Sequence, residues 1–511
     1  MHLYEDFGEN CTDSLEGMFA FALWNHPKKS LLLARDRFGI KPLYLAVSDD
    51  QVHFASELTA ILKAWQEPAE IDVQSLYNYL AFSYIPAPAS IVKGIQKLRP
   101  AERVTIQNGQ IRRAIYWQPQ PVAIPNNRNR ALRELAEHIE TSVQTHLLSD
   151  VPVAAFLSGG VDSSIVAAMA QKYQPMTTLC VSFPDTGVDE APIARRVAAH
   201  LGTNHIELAI DLDPLALLHD VVDFMDEPFA DSSALPTFTL CRAARGVAKV
   251  VLSGDGGDEV FGGYTGRYRV AAMNALLPHP AFIAGILQFF PPWRSGRRSS
   301  LPYMLSLAEM SDEERYVTER QITTASDRRA LFDNRDIEAE DSLRSVATAE
   351  LVAVAHRHPV HRALWMDMRT SLPDDMLTKV DRMSMAHGLE VRVPFLDRRL
   401  VEFAFSLPPS WLVSPLPVEG KRLLRKFAET LLPAGILNRP KQGFVVPLNA
   451  WLRNAFLPLF DELCGDGSTR IFHYLNRAAI QDIRNCPMAA QPREDLYALL
   501  FLELWLRKAG L

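Results

Sequence analysis

Two periodicities divide the chain. Between residues 18 and 56, short apolar runs (Met18–Trp24, Ser30–Ala34, Pro42–Val47, Val52–Ala55) alternate with turn residues such as Asn25-His26-Pro27-Lys28-Lys29 and Ser48-Asp49-Asp50. Apolar runs broken by such clusters predict antiparallel hairpins. Residues 118–130 hold three prolines and three asparagines, follow neither period and read as a linker. Beyond Arg130 strands and helices alternate: strands over Val151–Leu157, Thr177–Phe183, Ile206–Ile210 and Ala248–Leu252, with helices opening within Ser158–Ser164 and covering Asp189–Leu201 and Leu235–Arg245. In the second helix Ile193, Val197 and Leu201 recur on one face. This alternation predicts an α/β fold with a doubly wound parallel sheet, which binds ligands at the carboxyl ends of its strands. The remainder, to Leu511, reads mainly as helices, and no internal repeat is visible.

Composition narrows the class. The chain has 511 residues, 48% hydrophobic and 22% charged, enough to bury a large core. A net charge of −7 argues against a general nucleic-acid binder. The five cysteines form no CxxC pair, which argues against a disulfide framework, a zinc ribbon or a redox dithiol. No stretch of ~18 uninterrupted apolar residues is present to span a membrane. The first residues, Met1-His2-Leu3-Tyr4-Glu5-Asp6, lack the basic start of a signal peptide. A soluble cytoplasmic protein with neither nucleic-acid nor membrane partners is expected.

Two turns carry the chemistry. After the first strand of the sheet comes Leu157-Ser158-Gly159-Gly160-Val161-Asp162-Ser163-Ser164. The glycines let backbone amides approach an anion, the following helix adds its positive end, and the serines add hydroxyl donors. Asp162 beside phosphate makes sense with Mg²⁺ between them. The lysine of the P-loop is missing, and the pattern is not GxGxxG. After the strand Ala248–Leu252, the segment Ser253–Tyr264 holds five glycines and three carboxylates (Asp255, Asp258, Glu259), suited to Mg²⁺ on a polyphosphate. The plainer readings are an N-capped strand-to-helix turn and a solvated acidic loop. Two such turns on one sheet argue against both.

Together these turns resemble the SGGxDSS and SG(E/D)GxDE loops of the asparagine synthetase family. The resemblance continues through Asp226–Ser233, Lys379–Asp397 and Arg439–Phe444, and Arg35–Tyr44 resembles the late part of the family's class II glutaminase domain. It implies a partial α+β glutaminase sandwich over residues 1–117, a linker over 118–130, and over 131–511 an ATP-pyrophosphatase domain of the adenine nucleotide alpha hydrolase type with a helical C-terminal part. It also implies the activity: ATP adenylates the β-carboxylate of aspartate, releasing pyrophosphate, and ammonia attacks β-aspartyl-AMP to give asparagine. By resemblance, Ser158, Gly159, Gly160, Ser163 and Ser164 cradle pyrophosphate, and Asp162 and Asp258 hold Mg²⁺. Phe156, Val181, Ser253 and Gly254 contact the nucleotide. Asp255 stands where the family often has Glu, at the acyl-adenylate step, and Lys441 places a cation on the α-phosphate. Asp231, Ser232, Ser233, Arg382 and Arg392 are candidates for the substrate pocket, Arg382 and Arg392 equally for internal ion pairs with Asp381 or Glu390. His387 reads as structural rather than as a base. Arg35, Asp36 and Arg37 read as packing and ion-pair groups. A homodimer is compatible with the family.

The front of the chain departs from the family pattern. A class II glutaminase uses an N-terminal cysteine whose free α-amino group acts as base, whereas this sequence begins Met1-His2 and its first cysteine is Cys11. The expectation is that ammonia, not glutamine, supplies the nitrogen in this chain. Either the start lies upstream in a full-length, glutamine-using parent, or the chain is an ammonia-dependent synthetase with a relict domain. Half a sandwich is expected to leave strand edges and an apolar face unpaired. Other readings are an amidotransferase that adenylates a different carboxylate, in a polysaccharide or peptide-tailoring pathway, and a non-catalytic scaffold. The retention of Asp162, Asp258 and Lys441 disfavours the scaffold.

Overall fold

The computed structural model describes the chain except residues 49–50, 66–67, 121, 125–126, 183–189, 210–212, 277–305, 308, 334–338, 434, 438–446, 466 and 487–492. Two antiparallel sheets form the front. Strands β1 (Ala20–Asn25), β2 (Ser30–Arg35), β6 (Glu102–Gln107) and β7 (Gln110–Ile115) make one, in the order β1-β2-β6-β7. Strands β3 (Tyr44–Val47), β4 (Val52–Ala55) and β5 (Ile95–Lys97) make the other, in the order β4-β3-β5. The hairpins β1–β2 and β3–β4 follow the alternation of the sequence, but they belong to different sheets. Leu33 and Val104 from one sheet, Leu45 from the other, and Leu43 and Leu98 fill the space between them. Trp24, Phe54, Ile111 and Ile115 are left exposed.

Arg35 and Asp36 set the loop between the sheets. Asp36, fully buried, accepts backbone N–H bonds from Phe38 (3.1 Å), Ile40 (2.9 Å) and Lys41 (2.9 Å). Arg35 donates to the carbonyls of Lys41, Gly39 and Leu98. Arg37 reaches the carbonyls of Asp13 and Leu15. All three brace backbone rather than pair charge.

A helix over Arg128–His146, capped by the Asn127 side chain, leads into the second part and takes in the last residues of the stretch read as linker. There β8 (Val153–Phe156), β9 (Thr177–Ser182), β10 (Asn204–Ala209), β11 (Val250–Leu252) and β12 (Glu390–Arg392) form one parallel sheet in the order β10-β9-β8-β11-β12. The chain moves outward from β8 to β10, then returns to the other side of β8 with β11. This reversal is the topological switch point, where a crevice opens at the carboxyl ends. The short strand β12 completes the sheet. Most of the other described residues are helical, ending in helix Glu494–Ala509, whose middle from Leu496 to Leu506 is buried. One hydrophobic core runs from Phe38 and Tyr44 in the front sheets to Tyr497 and Trp505 in that last helix. No helix among the described residues is long and apolar enough to cross a membrane.

Candidate active site

The loops after β8 and β11 lie side by side at the switch point and floor a cleft of about 1250 Å³. The first turns at Gly159 and Gly160 into helix Val161–Gln171. Its hydroxyls are held in place: Ser158 Oγ lies 3.0 Å from Ser163 Oγ, and the Gly160 N–H donates to Ser158 Oγ at 3.2 Å. No side chain caps this helix at Gly160, and its first residues, Val161, Asp162 and Ser163, line the cleft. The second loop crosses so closely that a Cβ on Gly254 would sit 2.7 Å from the Ser163 backbone nitrogen. Only glycine permits that approach.

Most of the residues singled out in the sequence meet in this cleft. Phe156, Ser158, Gly159, Gly160, Asp162 and Ser163 line it from the first loop, and Val181 from the end of β9. Ser253, Gly254, Asp255 and Asp258 line it from the second loop, and Asp231, Ser232 and Ser233 from the segment before helix Ala234–Ala244. The Ser253 hydroxyl donates to the Asp255 carboxylate. Three expected residues do not stand there. Ser164 is fully buried on the inner side of its helix, and its N–H is spent on the Gly160 carbonyl at 3.1 Å. Arg392 donates to Glu390 and to the carbonyls of His146 and Leu148, bracing the end of helix Arg128–His146. Arg382 lies at the junction with the front sheets, where it pairs with Asp226 and donates to the Ser56 carbonyl at 2.9 Å. Its partner is thus Asp226 rather than the neighbouring Asp381, which binds Lys41 at 2.7 Å. Lys441 lies outside the described residues. His387 packs edge-on against Phe238 at 4.4 Å, and burial lowers its pKa, as suits a structural histidine.

Two lysines absent from the sequence-based set organise the cleft. Lys421 is 5% exposed, and its ammonium bonds the Asp162 carboxylate and, at 2.6 Å, Asp258 Oδ1. Burial works against its charge, but the two carboxylates outweigh it and raise the pKa. Farther along, Lys379 Nζ donates to Asp231 Oδ2 and to Ser233 Oγ, each at 2.7 Å. Burial alone would raise the Asp231 carboxyl, yet Lys379 and Ser233 hold it below the usual range. Next to them Asp375 is driven well upward, first by burial and then by the charge of Asp231. Lys379 stands inside the quoted motif at 379–397, so its place could have been read from the motif. Lys421 follows Glu419-Gly420 with no pattern around it, and only the fold brings it to Asp162.

The donor set suits a magnesium–polyphosphate complex. Among the described residues no group of three or more His, Cys, Asp or Glu side chains could hold a metal by itself. Asp162 and Asp258 already share one cation, the Lys421 ammonium. Mg²⁺ is commonly held by just one or two carboxylates, with substrate phosphates and water completing its shell.

Cys11 is the first cysteine of the chain. It is buried at 3% exposure, and burial pushes its thiol up, away from the thiolate a nucleophile needs.

Residues 134–507 match the family model described as asparagine synthase, and residues 1–117 match the one described as a glutamine amidotransferase domain. The glutamine-hydrolysing asparagine synthetase 1 of Bacillus subtilis (strain 168) is 31% identical over 509 residues, covering 98% of this chain and 79% of the relative. A protein of Mycobacterium tuberculosis (strain H37Rv) is 34% identical over 519 residues, covering 98% and 78% respectively. Amidase chry2 of Gibberella zeae is 27% identical over 539 residues, covering 94% and 77%. With a family model spanning most of its length, and with both glycine-rich loops meeting at the switch point of a parallel sheet, the chain belongs to the asparagine synthase family.

Proposed function

We propose that this chain is an ATP-dependent amide-forming ligase that converts aspartate to asparagine through β-aspartyl-AMP, releasing AMP and pyrophosphate. One observation carries the reading: Asp162 and Asp258, from two loops at the switch point, converge on a single cation beside uncapped helix amides. A bound Mg²⁺ would neutralise charge on the leaving pyrophosphate. Asp162 and Asp258 would hold it. The Gly159 amide and the hydroxyls of Ser158 and Ser163 would take the phosphate oxygens. Phe156, Val181, Ser253 and Gly254 would flank the nucleotide.

The chemistry has two steps. A β-carboxylate oxygen attacks the α-phosphorus, and the bond from that phosphorus to the pyrophosphate oxygen breaks. Ammonia then attacks the acyl carbon, loses a proton, and AMP leaves with the electrons of the acyl–oxygen bond. Asp255 stands at the mouth of β11 to position the reacting groups, and Lys441 would supply a cation for both steps. The paired charges Asp231 and Lys379, with Ser232 and Ser233 beside them, suit a zwitterionic amino acid at the far end of the cleft.

The fungal amidase relatives favour a second reading, in which the same acyl-adenylate chemistry acts on another carboxylate. Incubating the chain with ATP, Mg²⁺, ammonium and a panel of carboxylic acids separates the two. Equal amounts of AMP, pyrophosphate and asparagine, formed only with aspartate, support the first reading. Formation of ADP, or amide from another acid alone, rejects it.

A further inference from the structure

Lys421 is built in at a cost. Its φ of +54° puts a non-glycine residue in the left-handed region at the head of helix Arg422–Ala428. Its N–H is tied to the Phe261 carbonyl at 3.2 Å, which fixes the backbone against the second loop. The side chain then runs past Gly263, where a Cβ would fall 2.3 Å from Lys421 Cε and clash with the Asp258 carboxylate. Its ammonium ends between the two carboxylates that the proposed function gives to Mg²⁺.

Charge arithmetic gives this arrangement a consequence. Two carboxylates and one ammonium sum to −1, close to balance for a buried site. A free divalent cation entering there would meet the buried ammonium at close range and be repelled. A cation arriving on a polyphosphate of charge about −4 meets no such excess, because the phosphates compensate both cations.

We propose that Lys421 is an exchangeable internal counter-cation. In the nucleotide-free protein it holds Asp162 and Asp258 together and keeps free divalent metal out. It releases them only to a metal–polyphosphate complex, and its ammonium then turns onto the phosphates. Metal and nucleotide therefore enter together. The proposal rests on the ATP-site reading above.

The test is Mn²⁺ binding to the whole chain, followed by electron paramagnetic resonance without nucleotide and then with α,β-methylene-ATP. The wild type is expected to bind Mn²⁺ weakly until the analogue is added. Lys421→Met is expected to bind Mn²⁺ alone at least about tenfold more tightly, or ~1.4 kcal/mol. Lys421→Gln, which keeps a donor between the carboxylates, should do the same and serves if the methionine variant folds poorly. Mn²⁺ should raise the melting temperature of these variants and not that of the wild type. Adding Asp162→Asn to Lys421→Met should abolish the gain. Wild-type binding of free Mn²⁺ as tight as that of the variants, or no gain in either variant, overturns the proposal. If the wild type takes up no Mn²⁺ even with the analogue, the ATP-site reading itself falls, and this proposal with it.

Discussion

At the scale of single residues, reactivity depends on charges meeting across long sequence separations. Asp162 and Asp258 were legible in the sequence because glycine, serine and carboxylate crowd into two short turns after apolar strands. Lys421 was not, because its partner Asp162 is 259 positions away and nothing local marks it. The two serines that end the first turn look alike in sequence. Helical geometry separates them, directing Ser163 to the cleft and burying Ser164. Replacing Asp162 or Asp258 with Asn should abolish aspartate-dependent pyrophosphate release, since an amide is a poor Mg²⁺ ligand. The far-ultraviolet circular dichroism should not change. Near wild-type release by either variant, at ordinary Mg²⁺ concentration, would contradict the metal assignment.

At the scale of elements, the parallel sheet could be read from strand–helix alternation, but its far edge could not. Strand β12 has three residues, too few for any period, and pairs with β11 from 140 positions away. Its Arg392 reads equally as a substrate residue and as a partner of Glu390, because sequence shows a charge without showing its partner, and the pair with Glu390 is present at 2.6 Å. In the fold Arg392 closes the end of helix Arg128–His146 through two carbonyl bonds of 2.7 Å. Charge-assisted bonds of this kind are worth about 1.5–3 kcal/mol. Arg392→Ala is therefore expected to lower stability by that order, seen as a shift in the urea midpoint, while leaving the KM for aspartate unchanged. A large rise in that KM with no loss of stability would return Arg392 to the substrate pocket.

At the scale of the whole molecule, the front sheets are locked to the nucleotide-binding part by buried polar groups. Arg382 pairs with Asp226, which also accepts from the Leu58 N–H at 2.9 Å, and Glu227 receives Tyr44 Oη at 3.1 Å and pairs with Lys97 at 2.7 Å. Removing one partner of a buried pair typically costs about 3–5 kcal/mol. Arg382→Ala should therefore destabilise the chain by that order and expose the front sheets to limited proteolysis. An undiminished melting temperature would contradict this locking role.

Stability should also depend on pH. Burial pushes the imidazole of His361 down to about 4, with its Nε2 donating to the Leu407 carbonyl at 3.0 Å. Its folded pKa lies below the unfolded value of about 6.5, so only the unfolded chain takes up this proton as pH falls. This contribution, on the order of 3 kcal/mol, is complete above that value and lost towards pH 4. The buried carboxyls Asp36, Asp374 and Asp375 shift upward and act in the opposite sense. Comparing urea midpoints of wild type and His361→Asn between pH 7.5 and 5 isolates the histidine. The wild type should lose more stability than the variant, and parallel curves would contradict the assignment.

The central claim is that this cleft joins a carboxylate oxygen to the α-phosphorus of ATP. It is tested most directly by supplying aspartate labelled with ¹⁸O in its β-carboxylate, together with ATP, Mg²⁺ and ammonium. The oxygen that attacks phosphorus stays with the nucleotide, so one ¹⁸O per turnover should appear in the phosphate of AMP, with none in pyrophosphate. Label in inorganic phosphate or pyrophosphate, or unlabelled AMP accompanying asparagine, would contradict it.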